Sequence, residues 1–179
     1  NVFQPLLPMV TFLAGLLAIA LGFMPPATLP TEPSGGGYPL GAIPGLQELF
    51  AGDPPELGVK NGQLSPCPES PNCWVSQGGN QAHAIDPIQY SRSRADARDL
   101  LVKVLEVVPR TQVVAQTDDY VRAEATSRLF GFVDDLEFYF PEADAVVHMR
   151  SAARLGESDL GVNRRRLEQI RLALQDLEI

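Results

Sequence analysis

The chain has 179 residues, of which 45% are hydrophobic, and a formal net charge of −8 from 22 acidic and 14 basic residues. This length suits one globular domain with an appendage, since single domains commonly span about 100 to 200 residues. The acidic balance argues against nonspecific binding to nucleic acid and against charge-driven adsorption to anionic membranes. We therefore expect no nucleic-acid partner, and the charge alone identifies no other partner.

Residues 6–24 form a run of 19 residues without a charged side chain, LLPMVTFLAGLLAIALGFM. At about 1.5 Å of rise per residue, a helix of this length covers most of a roughly 30 Å hydrocarbon core. Pro25 and Pro26 would end such a helix. The sequence therefore predicts a membrane anchor over residues 1–24 and a single pass through the lipid bilayer. A cleaved secretory signal peptide is the alternative, although no basic segment precedes the run.

Residues 25–63 form a tether that is rich in Pro and Gly, which favour extended or turn backbone. A flexible spacer is the simplest interpretation. A sharper one is that the tether lies along another protein, because a lone chain has little against which to bury its apolar side chains. The expected docking residues are then Tyr38, Leu40, Ile43, Leu49 and Phe50. Packing of the tether on its own domain is the competing interpretation.

The predicted globular domain, residues 64–179, opens with the sequence LSPCPESPNCWVSQ. Cys67 and Cys73 are the only cysteines, and they can close a small disulfide loop if the domain faces an oxidising compartment. Free thiols are the alternative. A structural zinc site would need two further ligands, and His83 and His148 are the only histidines. We therefore predict no metal site.

Two elements are predicted after the cysteines. An edge strand is expected over residues 84–90, interrupted by Pro87, with His83 beside it on the surface. A helix is expected over residues 93–108, with Ser93 as its N-cap and Pro109 just past its end. Its apolar positions recur at helical spacing and are Ala97, Leu101, Val104, Leu105 and Val108. This helix should cover a sheet.

Two hairpins follow. Residues 111–115 and 120–126 alternate around a turn at Thr117 and Asp118, and residues 133–140 and 145–150 alternate around a turn at residues 141–144. If Phe140 lies opposite Ala145, the register of the second hairpin places Glu137 opposite His148 and Asp135 opposite Arg150. The pattern therefore predicts two ion pairs across this ladder.

Alternation places the polar side chains of both hairpins on one side of the sheet. They are Tyr120, Arg122, Glu124, Asp135, Glu137, Tyr139, His148 and Arg150. One interpretation is a solvated face with cross-strand ion pairs. The other is a recognition surface for a partner or small ligand, whose candidate residues are Arg122, Asp135, Glu137, His148 and Arg150.

A second helix is predicted after a Gly-interrupted connection. Its apolar stripe is Val162, Leu167, Ile170, Leu174 and Leu177. Residues 164–166 are three arginines, which suggest phosphate binding or, more simply, local ion pairing and capping. The fold expected from all these elements is α+β. It has an antiparallel sheet of about four strands with two helices on one face, preceded by one transmembrane helix.

Three blocks of the chain, PCPESPNCWVSQ, FGFVDDLEF and RSAARLGESDLGVNRRRLEQIR, occur in an order that resembles the domain-of-unknown-function family fourteen-ninety-nine. The resemblance covers most of residues 64–177. It implies a domain boundary more than an activity, because the biochemical role of the family is not established. Members occur in photosynthetic organisms and other bacteria, which implies a thylakoid complex with this domain on the lumenal side. The start at Asn1 leads us to expect a removed targeting sequence.

An enzyme built on this chain would use Asp135, Glu137 and His148 as acid and base groups, with Arg150 or Arg154 holding an anion. The sequence contains no Gly-rich phosphate loop, nucleophile elbow or zinc-protease motif that would support this hypothesis. We therefore expect a non-catalytic accessory or structural subunit of a larger membrane protein complex, with an extracytoplasmic domain and no cofactor. Whether a pigment or lipid binds is left open. The alternative is a membrane-anchored enzyme or ligand-binding domain that uses the polar sheet face.

Overall fold

The computed structural model describes residues 50–78 and 80–179. This part of the chain forms an antiparallel sheet of six strands with two helices, an α+β arrangement. The strands are β1 (Cys73–Val75), β2 (Ile88–Gln89), β3 (Thr111–Gln116), β4 (Tyr120–Thr126), β5 (Val133–Tyr139) and β6 (Val146–Ala153). The helices are α1 (Arg94–Val107) and α2 (Val162–Asp176). The strand order is β1-β6-β5-β4-β3, and β2 also pairs with β6.

The sheet is larger than the four strands expected from the sequence because β1 and β2 extend it beyond β6. Cys73 lies opposite Ala152, and Ile88 lies opposite Val147. The two added strands have only three and two residues. The strand predicted over residues 84–90 is therefore present only at Ile88 and Gln89, and β1 was not predicted because a strand this short shows no alternation that a sequence pattern could reveal.

The β3–β4 hairpin is confirmed, but the predicted register of β5 and β6 is wrong by two residues. Glu137 lies opposite Arg150, and Tyr139 lies opposite His148. The predicted register assumed that Phe140 lies opposite Ala145, but these two residues pair with other parts of the chain. The Phe140 N–H donates to the Asp119 carbonyl at 2.8 Å, and the Ala145 carbonyl accepts from the Tyr90 N–H at 3.1 Å. The connection is therefore longer than a four-residue turn.

Both helices pack on the apolar face of the sheet. The buried core contains Val121, Ala123, Ala125, Leu136, Phe138, Val147 and Met149 from the strands and Ala97, Leu101, Val104, Leu105, Leu167, Ile170 and Leu174 from the helices. Helix α1 begins as predicted, because Ser93 is its N-cap and the Ser93 Oγ accepts from the Asp96 N–H at 3.1 Å.

Helix α2 buries the middle of its predicted stripe but not the ends. Val162 and Leu177 are 38% and 46% exposed, whereas the polar Asn163 is fully buried. The helix begins after Gly161, whose φ of +74° is in the left-handed region that glycine tolerates. The Asp159 carboxylate accepts from the N–H groups of Gly161 and Asn163 at 2.9 and 2.7 Å. The loop before α2 therefore caps it.

Several predictions lie outside the described residues. They are the anchor over residues 1–24 and the tether residues Tyr38, Leu40, Ile43 and Leu49. Within residues 50–78 and 80–179, neither helix combines the length and the apolar character that a membrane crossing requires. Phe50 is described, and its ring packs edge-on against Phe130 and Phe132, with centroid separations of 6.5 and 5.3 Å.

Candidate functional site on the polar sheet face

The strand register brings the predicted polar residues together on the face of the sheet opposite the helices. Arg122, Glu137 and Arg150 form one row across β4, β5 and β6. Glu124 and Asp135 form the row on one side of it. On the other side, Tyr120, Tyr139 and His148 form a third row. The predicted face therefore exists, although the partners within it differ from those expected.

Glu137 lies at the centre of this face and is completely buried. Its Oε2 accepts from Arg150 Nη1 at 3.1 Å. Its Oε1 accepts from the Tyr120 hydroxyl at 2.8 Å and from the Gly58 N–H at 2.9 Å. Both oxygens of the carboxylate are thus occupied by donors, as a buried charge requires.

Asp135 is the second buried carboxylate, and two arginines hold it. Arg122 Nη2 donates to Asp135 Oδ1 at 2.7 Å, and Arg154 Nε donates to Asp135 Oδ2 at 2.7 Å. The Arg154 side chain also donates to Glu124, which lies 3.4 Å from Arg122. We call the group of Arg122, Glu124, Asp135, Glu137, Arg150 and Arg154 the paired-charge layer. Its three positive charges equal its three negative charges.

Burial and neighbouring charge fix the protonation of two groups in and beside this layer. Burial raises the pKa of Tyr120 well above its usual range, and the charge of Glu137 adds to the effect. Hydrogen bonding to Asp135 raises the pKa of Arg154. The Tyr120 hydroxyl therefore stays protonated as a donor, and Arg154 stays a cation.

Residues of the predicted tether and of the segment that follows it line this face. A cleft of about 140 Å³ lies among Asp53, Pro55 and Pro68 on one side and sheet residues, including Arg150 and Arg154, on the other. Asp135, Glu137 and Arg150 are only 1%, 0% and 7% exposed. Cross-strand ion pairs are present, but they join Glu137 to Arg150 and Asp135 to Arg122 instead of the expected partners, and the centre of the face is buried instead of solvated. The buried Arg150 Nε has no hydrogen-bond partner among the described residues.

His148 lies on the polar face as predicted but opposite Tyr139 instead of Glu137, whereas His83 is not where the sequence predicted it. His148 stacks on Tyr139, with ring centroids 6.4 Å apart, and its Nδ1 lies 3.2 Å from Ser76 Oγ. Burial lowers the pKa of His148, and the charge of Asp144 opposes this shift. His83 was expected on the surface, but its side chain packs against β1 and the residue is only 5% exposed. The His83 Nδ1 lies 3.0 Å from the Cys73 carbonyl.

Asp135, Glu137 and His148, the acid and base groups predicted for an enzyme, each contact a different set of neighbours. Glu137 is held by Arg150, Asp135 by Arg122 and Arg154, and His148 by Ser76. Cys67 and Cys73 form a disulfide. Within the described segments, no three side chains of His, Cys, Asp or Glu converge in a way that could hold a metal ion.

A second buried polar cluster lies on the helix side of the sheet, and the sequence analysis missed it. Asn163 contacts Ser151 Oγ, donates to the Asn72 carbonyl at 3.2 Å and accepts from Arg166 Nη1 at 2.9 Å. Arg166 also pairs with Asp134 at 2.9 Å. Burial raises the pKa of Asp134, while Arg166 lowers it. The available signal was that Asp134 and Ser151 occupy apolar-face positions in their strands.

Comparison with known sequences gives the family of the chain but no activity. A search of curated proteins finds no match. A model of the family described as protein of unknown function (DUF1499) matches residues 63–174. This range contains all six strands and most of α2. The chain belongs to the DUF1499 family.

Proposed function

We propose that this protein is a non-catalytic accessory or structural subunit of a larger membrane protein complex. The observation that carries the proposal is the paired-charge layer, in which two arginines hold Asp135, while Arg150, the Tyr120 hydroxyl and the Gly58 N–H occupy both oxygens of Glu137. A general acid or base must exchange a proton with a substrate within hydrogen-bond reach. Carboxylates whose oxygens are already occupied by donors of the protein itself are poorly suited to that role, and they suit a rigid structural layer.

An exposed apolar site on the β4–β5 connection supports an interaction role. Leu129 is 59% exposed and Phe130 is 40% exposed. Phe130 lies beside Phe50, where the predicted tether enters the described part of the chain. Exposed apolar side chains that adjoin one another are typical of protein contact surfaces. In this proposal the partner complex covers Leu129 and Phe130, and the tether docks next to them.

The full proposal combines this surface with the apolar run over residues 6–24, which would hold the protein in the bilayer. The domain would then project on the extracytoplasmic side. The narrower form of the proposal is a photosynthetic thylakoid complex with the domain in the lumen. The disulfide between Cys67 and Cys73 supports an oxidising compartment.

The test is gentle detergent solubilisation of membranes, followed by native separation and mass spectrometry of whatever comigrates with the chain. We expect stoichiometric comigration with one large assembly. Leu129→Ser combined with Phe130→Ser should release the chain from it. Val107→Ser combined with Leu172→Ser, which removes two other exposed apolar side chains, should not. Migration of the wild type as a monomer would contradict the subunit proposal, and recovery in the soluble fraction after carbonate washing would contradict the anchor.

A further inference from the structure

A cleft of about 380 Å³ lies among the end of α1, the start of α2, the end of β4 and the start of β5. It is separate from the polar face. Four arginines line it, Arg110, Arg128, Arg165 and Arg166. They come from the α1–β3 turn, the β4–β5 connection and the first turn of α2. We call this region the arginine cleft. Its volume is within the range of small-molecule sites, which is roughly 300 to 1,000 Å³.

The charges of the arginine cleft do not balance. Asp134 is the one acidic side chain in its lining, and Arg166 pairs with it at 2.9 Å. Among the described residues, the other three guanidinium groups have no carboxylate within ion-pair distance. A chain with a net charge of −8 thus concentrates unneutralised positive charge at one place.

Two of these arginines are held in position by neutral groups. Arg110 Nε donates to the Thr126 carbonyl at 3.1 Å, and Arg165 Nη1 donates to the Leu160 carbonyl at 2.8 Å. These contacts orient the side chains without cancelling their charge. The N–H groups of Gly161 and Asn163 at the start of α2 are already bound by the Asp159 carboxylate, so the guanidinium groups, and not the helix dipole, supply the positive charge of the cleft. The site is therefore organised for an anion before any anion arrives.

The remaining walls of the cleft are apolar and include Val108, Pro109, Ala125 and Val162. Guanidinium groups match the oxygens of a phosphate in both geometry and charge. We propose that the arginine cleft binds a phosphate monoester that carries a short apolar group. The phosphate contacts Arg128 and Arg165, and the apolar group lies against Val108 and Val162. The ligand is either a soluble ester or the headgroup region of an acidic lipid.

The test is calorimetric titration of phenyl phosphate into the full chain in a mild non-ionic detergent. We expect a submillimolar Kd and weaker binding of inorganic phosphate, which lacks the apolar part. Arg128→Ala combined with Arg165→Ala should raise the Kd by about tenfold or more, since charge-assisted hydrogen bonds are lost. Arg94→Ala combined with Lys103→Ala removes the same charge outside the cleft lining and should change the Kd less than about twofold.

Adding acidic lipids to the detergent micelles distinguishes a lipid ligand from a soluble ester. Phosphatidic acid should compete with phenyl phosphate if the natural ligand is a lipid, whereas phosphatidylserine, which is acidic but lacks a phosphate monoester, should not. The absence of competition by phosphatidic acid assigns a soluble ester. Failure of phenyl phosphate to bind the wild type overturns the proposal, as does equal weakening by the two double variants. Thermal unfolding of each variant verifies that it is folded.

Discussion

The two arginine clusters of this domain differ in what surrounds their charges. In the paired-charge layer, three arginines meet three carboxylates, and Asp135 and Glu137 are almost completely buried. In the arginine cleft, the one carboxylate of the lining, Asp134, pairs with Arg166, and Arg110, Arg128 and Arg165 are exposed. An unpaired charge is too costly to bury but is tolerated where water solvates it. The first cluster therefore serves the fold, and the second retains charge that a ligand can use.

Removing one partner of the buried Glu137–Arg150 pair should have the largest effect on stability. Glu137→Ala leaves the Arg150 guanidinium buried without its carboxylate and leaves the Tyr120 hydroxyl without its acceptor. We expect a loss of about 3 to 5 kcal/mol in the free energy of unfolding, the usual cost of breaking a buried ion pair. Denaturant unfolding of the full chain measures this loss.

The matched control removes both charges. Glu137→Leu combined with Arg150→Met should be much less destabilising than Glu137→Ala, because no unpaired charge remains and the volume is largely kept. If Glu137→Ala cost less than about 1 kcal/mol, the layer would not be the structural element that its burial indicates.

Removing the disulfide should have the second-largest effect on stability, because the bridge attaches the segment beside the polar face to the sheet. Cys67 precedes Pro68, which lines the small cleft on that face, and Cys73 lies in β1. A loop this short gives a chain-entropy stabilisation of about 2 kcal/mol. Cys67→Ala combined with Cys73→Ala should lower the free energy of unfolding by about this amount.

Reductant provides the control for the disulfide. Dithiothreitol should destabilise the wild type by a similar amount and leave the double variant unchanged. A wild type that is indifferent to reductant, although its disulfide is shown to be reduced, would mean that the bridge contributes nothing to stability.

Local patterns were enough to predict α1, the β3–β4 hairpin and the centre of α2, because helical and strand periodicities are properties of neighbouring residues. Alternation also placed the polar residues on one face. It did not give the β5–β6 register, which Asp119 and Tyr90 set from other parts of the chain. Long-range packing likewise decides the burial of Glu137, since Gly58 contacts it from 79 positions away.

The arginine cleft was beyond sequence reasoning for the same reason. Arg110, Arg128 and Arg165 belong to three separate segments, and no spacing along the chain relates them. Of these three residues, only Arg165 was a candidate in the sequence, because it is one of three consecutive arginines that suggested phosphate binding. The ion pair of Arg166 is not local, because its partner Asp134 lies in β5, whereas the local contacts of these arginines are hydrogen bonds from Arg165 to the Leu160 carbonyl and from Arg166 to Asn163 Oδ1.

The exposed cluster should tolerate a truncation that the buried one does not. Arg128→Ala removes a side chain with no ion pair among the described residues, so we expect a change within about 0.5 kcal/mol in the free energy of unfolding. Loss of repulsion within the cleft should make the change neutral or slightly stabilising. Denaturant unfolding beside Glu137→Ala gives the contrast directly. A destabilisation by Arg128→Ala close to that of Glu137→Ala would remove the distinction between the clusters.

The smallest expected effect is a pH dependence from His148, which lies at the edge of the polar face. Burial lowers its pKa below the ordinary value of about 6.5, so the folded state favours the neutral ring. The stabilisation is fully present above pH 6.5 and is lost as the pH falls below 6.5 through the lowered pKa, because the unfolded chain then binds the proton more readily. Tyr139, Ser76 and Asp144 are its neighbours, and only Asp144 favours protonation. Between about pH 7 and pH 5, the wild type should lose this stabilisation, whereas His148→Gln has no titrating group at this position. The difference in the free energy of unfolding between the two proteins should therefore become smaller as the pH falls. A difference between the two proteins that stays constant over this range would show that His148 does not titrate differently in the folded and unfolded states.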